Sequence, residues 1–250
     1  MPIARIEITA RRHQRIAAAP FTEYSVVHVR AGRKRITDST GITEIAAGGY
    51  FAVAPGSLLH VENLPADDGP YRAVCLCIPY ALLSEHTRGD REASSSWTVL
   101  PQQASLAQAF AHTEQGLTDS LTESLLRHRV AELLTAVALA GFRPRPEHIQ
   151  RTSERVRLLL NTRPDYEWRT EDIARQLAVS PATLRRRLAE EQSSFRDLLE
   201  EVRLTHGLAL VQGTAKPLKL VAAECGYASP SRFTARFRER FGSTPSELRD

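Results

Sequence analysis

The sequence predicts an α+β two-domain chain: an N-terminal β-barrel with helices, then a C-terminal all-α domain with two helix-turn-helix units joined by a long helix. Three observations carry this. The first eighty residues hold short β-branched and aromatic runs separated by Gly, Pro and Asp turn signals. From Thr152 onward the apolar residues recur at helical spacing. Within that second region one pattern occurs twice. Ile173 to Val179, Ser180-Pro181, Leu184 and Leu188 are matched by Val221 to Tyr227, Ser229-Pro230, Phe233 and Phe237. The offset is 48 residues before the turn (173 to 221) and 49 after it (184 to 233), so the second turn is one residue longer. Each copy reads as a short helix, a tight turn and a second helix.

In chain order, strands are expected at 24–29, 42–46, 50–53, 58–61 and 71–78, with a polar loop at 65–70. A helix follows over 104–112. A long amphipathic helix over 120–141 carries Leu121, Leu125, Leu126, Val130, Leu133, Leu134 and Val137 at the 3.6-residue period, with Gly141 as its stop. Part of that stripe can cover the barrel and part can pair with a second subunit. Leu121, Leu125, Arg129 and Leu133 are the dimer-helix candidates. Pro144 and Pro146 mark a stiff linker over 143–151, which divides a domain at 1–142 from one at 152–250.

The helical domain is punctuated by caps. Its first helix spans 152–161, with Val156, Leu159 and Leu160 inward. Thr170 is the expected N-cap of the next, with Glu171 and Asp172 in its first turn. Ser180-Pro181 and Ser229-Pro230 combine a capping hydroxyl with proline at the first helical position. Ser194 with Asp197 caps a connecting helix from Phe195 to about Val211, which contains Gly207 at a cost of about 1 kcal/mol relative to alanine. Pro217 opens the second unit, and Phe233, Phe237 and Phe241 form its buried stripe. Gly242 ends that helix, and Thr244-Pro245-Ser246 starts a last turn.

Net charge is only +4 and does not by itself indicate a nucleic-acid partner. The basic residues are clustered, however: Arg185-Arg186-Arg187 in the first unit, and Arg232, Arg236, Arg238 and Arg240 in the second. Cys75 and Cys77 alternate in an apolar run and are expected on opposite faces of a strand, and Cys225 fills the apolar slot of Leu177. Three such cysteines do not make a disulfide framework and suit a reduced cytoplasm. The first residues lack the apolar core of a signal peptide, and no apolar run is long enough to span a bilayer, so a cytoplasmic protein with no membrane partner is expected. No phosphate-cradling glycine loop or nucleophile elbow occurs, and no catalytic residue, cofactor or enzyme activity is expected. Gly49, Pro55 and His60 have the spacing of a cupin second motif, but His28 stands alone with no His-x-His. His60 is therefore expected to be a turn or core histidine and no metal site is assigned. A cupin-type enzyme is the distant alternative.

The stretch from Trp168 to Arg249 resembles the DNA-binding domain of AraC/XylS-type transcription regulators. The most specific match runs from Gly226 through Phe233, Phe237, Phe241-Gly242 and Thr244-Pro245-Ser246. The first unit, with Ser180, Leu184, Arg186, Leu188, Ser194-Phe195 and Arg203, is similar too. Arg-Arg-Arg-Leu followed by Ser-Phe is most similar to the enterobacterial acid-resistance and virulence regulator branch. Gln192 stands where many relatives have glycine. The β-rich region is similar to the family's cupin-like sensor domain in general layout.

The resemblance implies a transcription activator that binds double-stranded DNA and RNA polymerase as a homodimer, through two adjacent major grooves. A small apolar or acidic effector is one expected control: the apolar strands with Arg30, Arg33, Lys34 and Arg35 would suit an aliphatic acid, the alternative being that arginines near a turn are simply exposed. Control by a protein partner or by abundance alone is the alternative. Ala182, Thr183, Arg185 and Arg186 in the first unit, and Ser231, Arg232 and Ala235 in the second, are the base-contact candidates. Ser180, Arg187, Ser229, Arg236 and Arg238 are the phosphate candidates.

Overall fold

A computed structural model describes residues 3–83, 96–143 and 151–249. The described residues fall into two compact units, one N-terminal and one C-terminal. Most of the expected linker, 144–150, lies outside the described residues.

The N-terminal unit takes its β structure as two antiparallel sheets. Its strands are β1 (Ala4–Ala10), β2 (Gln14–Phe21), β3 (Tyr24–Ala31), β4 (Arg33–Asp38), β5 (Gly41–Ala46), β6 (Tyr50–Val53), β7 (Ser57–Leu64), β8 (Tyr71–Ile78) and β9 (Trp97–Leu100). One sheet has the order β1-β8-β3-β6-β9 and the other β2-β7-β4-β5. The helices are α1 (Tyr80–Leu83), α2 (Ala104–Thr118) and α3 (Glu123–Leu139).

The five-stranded sheet is buried on both faces. Tyr24, Val26, Val74, Leu76 and Ile78 share a core with Leu106, Phe110, Val130, Leu133 and Val137 of α2 and α3. Their neighbours Val27, Val29, Ala73 and Cys75 are buried on the opposite face. His28 belongs to the helix side, where it stacks on Tyr50 at 4.2 Å and meets the edge of Phe110. Burial, and then the charge of Arg30, hold its pKa below the usual histidine value.

Residues two apart on a strand share a face because the side-chain period is two. Cys75 and Cys77 accordingly lie together, with sulfurs 3.6 Å apart. The helix expected over 120–141 begins later, at Glu123, because Ser120 takes a left-handed φ of 53° and breaks the chain between α2 and α3. Leu121 therefore lies off the helix and folds back over Gly116. Leu133 is fully buried in the unit's own core and offers nothing to a second subunit. Leu125 is exposed, and Arg129 lies on the surface beside Glu132 and His112. His60 is neither in a turn nor in the core: it stands on the exposed face of β7, where its Nδ1 accepts from the Ala18 N–H. Strands β1, β2, β4 and β9 and helix α1 are additional to the expected elements.

Lys34 is the clearest surprise in β4. It is 4% exposed, donates to Asn63 Oδ1 at 2.7 Å and sits over the ring of Tyr71. Burial lowers its pKa to about 8. Asn63 in turn donates to Gln14, and both are buried. Arg30, by contrast, pairs with Glu114, and Arg33 and Arg35 pair with Glu44 near the surface.

The C-terminal unit is helical throughout: α4 (Thr152–Asn161), α5 (Thr170–Gln176), α6 (Pro181–Glu190), α7 (Phe195–Gly213), α8 (Leu218–Glu224) and α9 (Pro230–Phe241). The N-cap of α5 is Arg169, one residue before the expected Thr170. Its extended backbone N–H donates to the Asp172 carboxylate, so Thr170 becomes the first helical residue. No helix among the described residues is long and apolar enough to cross a membrane.

Helix α7 serves both halves of this unit. Its Leu198 and Val202 join Val156, Leu160, Ile173, Leu184 and Leu188 in one core. Further along, a Cβ on Gly207 would lie 2.7 Å from the Phe233 ring and 3.2 Å from Cys225 Sγ. The glycine that weakens the helix by propensity is thus where α9 packs on the α7 backbone. Gly207→Ala gains about 1 kcal/mol of helix propensity but overpacks this contact, at a cost of about 1–3 kcal/mol. Thermal unfolding followed by circular dichroism is expected to show a lower Tm; a raised Tm would contradict the contact.

Candidate nucleic-acid interface

The first helical pair is α5–α6. Ser180 is extended and its Oγ accepts from the Thr183 N–H at 3.0 Å, fixing where α6 begins. Leu184 and Leu188 are buried, which turns Ala182, Arg185, Arg186 and Arg187 to solvent. Thr183 is half-buried, with its hydroxyl 2.8 Å from Ser180 Oγ. Arg185 lies 3.5 Å from Glu171 and Arg186 lies 3.7 Å from Glu190. All four side chains are more than half exposed, so these pairs are solvent-screened and easily exchanged for another anion. Arg187 makes no ion pair among the described residues.

The second pair is α8–α9. Ser229 Oγ accepts from the Arg232 N–H at 3.4 Å and Pro230 occupies the first turn. Phe233, Phe237 and Phe241 are fully buried and pack ring against ring. Ser231, Arg232, Ala235 and Arg238 are exposed. Arg232 makes no ion pair among the described residues. Arg236 is different. Its guanidinium is held by Glu239 at 2.8 Å and by Glu200 of α7 at 3.2 Å, so it ties α9 to α7. The first tight turn runs from Leu177 to Ser180 and the second from Cys225 to Ser229, which accounts for the extra residue.

Both turns need one left-handed residue. In the second it is Gly226, with φ 73°. At the matching position of the first it is Ala178, with φ 54°, and Gln192 after α6 also has φ 54°. Each non-glycine residue in this conformation stores about 1 kcal/mol of strain. Gly226 has a second reason to be glycine. A Cβ there would lie 2.6 Å from the Arg203 guanidinium. Arg203 donates to the carbonyls of Pro164 and Tyr166, both at 3.1 Å. It therefore connects the loop before α5, the shared helix α7 and the corner of the second turn.

Two further supports escaped the sequence reading because they join residues distant in the chain. The Glu191 carboxylate, at the end of α6, accepts from the Thr152 and Ser153 N–H groups at 2.7 and 2.9 Å and so caps α4. Burial alone would raise its pKa, but these hydrogen bonds outweigh it and hold the carboxyl below its usual value. Arg157 of α4 grips Glu201 of α7 with two nitrogens and Glu154 with a third. Among the described residues no group of three or more His, Cys, Asp or Glu side chains could hold a metal ion.

A family described as "Helix-turn-helix domain" matches residues 173–250. The HTH-type transcriptional regulator GadX of Escherichia coli K12 is 38% identical over 96 residues, or 38% of this chain and 35% of that protein. The HTH-type transcriptional regulator YdeO of the same organism is 34% identical over 96 residues, covering 38% of each chain. The matched segment thus spans little more than a third of these curated relatives. Among solved structures, ToxT of Vibrio cholerae with bound unsaturated fatty acid aligns over 98% of this chain and 94% of its own, with a TM-score of 0.67 at 14% identity. ToxT bound to (E)-4-(8-methylnaphthalen-1-yl)but-3-enoic acid gives 0.70 at 15% identity, covering 99% and 98%. That likeness is one of fold: a sheet-rich N-terminal unit and a helical C-terminal unit.

Proposed function

We propose, from the premise that the C-terminal unit is an AraC-family helix-turn-helix domain, that this chain is a sequence-specific transcription regulator, acting as an activator through two neighbouring major grooves of DNA. The relatives carrying this domain are transcription regulators rather than enzymes. One observation carries the reading. Two helices, each started by a Ser-Pro cap and each turning arginines to solvent over a buried apolar stripe, are built on one shared helix. An arginine near the start of such a helix can pair with guanine through two hydrogen bonds, worth about 1–3 kcal/mol of discrimination. Arg185 and Arg186, with Ala182 and Thr183, read bases through α6. Arg232, with Ser231 and Ala235, reads them through α9. Ser180, Arg187, Ser229 and Arg238 hold phosphates, and Arg236 joins them when DNA displaces one of its two carboxylates. The first unit supplies more of the specificity.

The N-terminal unit is proposed as the controlling and dimer-forming part, with Leu125 and Arg129 the remaining surface candidates on α3 and RNA polymerase the partner at the promoter. For control by an effector, the support lies between the sheets. Lys34 is buried there with Asn63, and the Tyr71 hydroxyl is buried with no hydrogen-bond partner among the described residues. A carboxylate would satisfy both groups, and the structural neighbour ToxT is described with a fatty acid bound. A small apolar acid is therefore the proposed effector.

Footprinting with Arg186→Ala and Arg232→Ala is expected to disturb two separate sets of base pairs about one helical turn apart, roughly 34 Å, with the Arg186 change the costlier. Disturbance of the same base pairs by both would overturn the two-groove reading. Thermal-shift measurement at neutral pH with medium and long-chain fatty acids is expected to stabilise the wild-type chain but not Lys34→Met. No shift in the wild type, together with DNA binding by the untreated protein, would favour control by a partner or by abundance.

A further inference from the structure

We propose that Lys34 couples effector binding to proton uptake, an inference that rests on the effector reading of the N-terminal unit: the site takes a monocarboxylate as the counter-ion its buried amine lacks, and loses it as the solution turns alkaline. Lys34 is 4% exposed and makes no ion pair among the described residues. Its row across the four-stranded sheet is Gln14, Asn63, Lys34 and Ile45, so β2, β7 and β5 bring it only neutral neighbours in that row. Arg33 and Arg35 take the other face, where both pair with Glu44. The groups that act on Lys34 from the other sheet are Tyr71 and Cys75 of β8. The Tyr71 hydroxyl is buried with no hydrogen-bond partner among the described residues. An ammonium in this place therefore meets an amide oxygen and an aromatic ring, but no carboxylate.

A buried charge without a partner is expensive, and a lysine avoids that cost by giving up its proton. Burial accordingly lowers the Lys34 pKa to about 8, opposed by the charge of Cys75. Asn63 suits either form of the amine. Its Nδ2 donates to Gln14 Oε1 at 2.8 Å, which leaves Oδ1 to accept from Lys34 at 2.7 Å. An amine and an ammonium both have an N–H to give, so Asn63 fixes the position of Nζ and not its charge. The residue type agrees. Of the 33 Lys and Arg residues only Lys34, Lys216 and Lys219 are lysine. Arginine stays charged throughout the pH range of proteins. A chain that uses arginine almost everywhere thus places a titratable cation at this buried position.

A carboxylate beside Nζ supplies the opposite charge, favours the ammonium and raises its pKa. The Tyr71 hydroxyl donates to the second oxygen. Burial, and then the charge of Cys75, push its pKa far above the usual phenol value, so it stays protonated and able to donate. Below a pH of about 8 the free amine is already charged and binding moves no proton. Above it the free site has lost its proton while the occupied site retains one, so each binding event takes a proton from solvent. Effector affinity is therefore complete below the pKa of the free amine and falls about tenfold per pH unit above it. An alcohol of the same chain length has no charge to offer and gains nothing from the ammonium.

The test titrates the full chain with decanoate, which is ionised at pH 7 and at pH 9 alike. Calorimetry in pairs of buffers that differ in ionisation enthalpy reads the protons exchanged per ligand bound. The expected result is close to none at pH 7 and about one taken up at pH 9, with Kd rising about tenfold between pH 8 and pH 9. Cys75→Ala is expected to retain the uptake, which assigns the proton to Lys34 rather than to the neighbouring thiol. Lys34→Arg, which stays charged at both pH values, is expected to bind decanoate with no uptake; where that variant fails to fold, the other two titrations decide the matter. Decanoate binding without proton uptake at pH 9, or an uptake that disappears in Cys75→Ala, overturns the coupling and leaves the effector reading in place. Absence of binding at both pH values, for decanoate and for octadecenoate, overturns the effector reading and the coupling with it.

Discussion

The ring of Phe233 lies against the backbone of α7 at Gly207, and the seating of α9 on the helix that also carries the first pair depends on that contact. The first helix pair packs on the N-terminal half of α7 through Leu198 and Val202. The second pair packs on its C-terminal half through Phe233 and Cys225. Because a single continuous helix receives both, the direction of α6 and the direction of α9 are set by one rod. Burying each phenylalanine of the α9 stripe contributes about 2–3 kcal/mol, far more than a solvent-screened ion pair. Apolar packing therefore positions α6 and α9, while Arg185, Arg186 and Arg232 are left at the surface. Arg203, Arg157 and Arg236 do the opposite work, spending their charge inside the unit to tie the loop before α5, α4 and α9 to α7.

The two halves of the repeat carry their strain differently. The second turn places glycine at its left-handed corner and opens a space that the Arg203 guanidinium fills. The first turn accepts alanine at the same corner, and Gln192 takes a left-handed conformation just after α6. The first pair compensates with the better N-cap: Ser180 meets Thr183 at 3.0 Å, whereas Ser229 reaches Arg232 only at 3.4 Å. A solvent-exposed surface tolerates such strain provided the buried stripe beneath it is intact.

Much of this was legible from sequence, for local reasons. Ser-Pro caps, the Leu184/Leu188 and Phe233/Phe237/Phe241 stripes and the Gly242 stop act within a few residues, and each is where the periodicity puts it. Strand β8 was legible because it is apolar on both faces. Strands β2 and β4 were not: one is alanine-rich with a proline, the other begins Arg-Lys-Arg, and only pairing with β7 makes them strands. In β1 the alternation of Ile6 and Ile8 is short and interrupted by charged residues. Leu121 and Leu133 pack within the unit itself, because the same 3.6-residue period describes a face against the core and a face against a partner. Lys34 was invisible as a buried residue because its burial depends on Asn63 and Tyr71, brought to it by other strands. The candidate base-contact and phosphate residues follow from their place on the helix, whereas the engagement of Arg236 by Glu200 and Glu239 depends on α7 and is visible only in the structure.

In the proposed function α7 holds two DNA-reading helices at one fixed separation. The most direct measurement is affinity for a bound site into which base pairs are inserted between the two contacted elements. The account predicts that an insertion of half a helical turn, about five base pairs, reduces binding to that of a single element. Retention of full affinity across such insertions would contradict it.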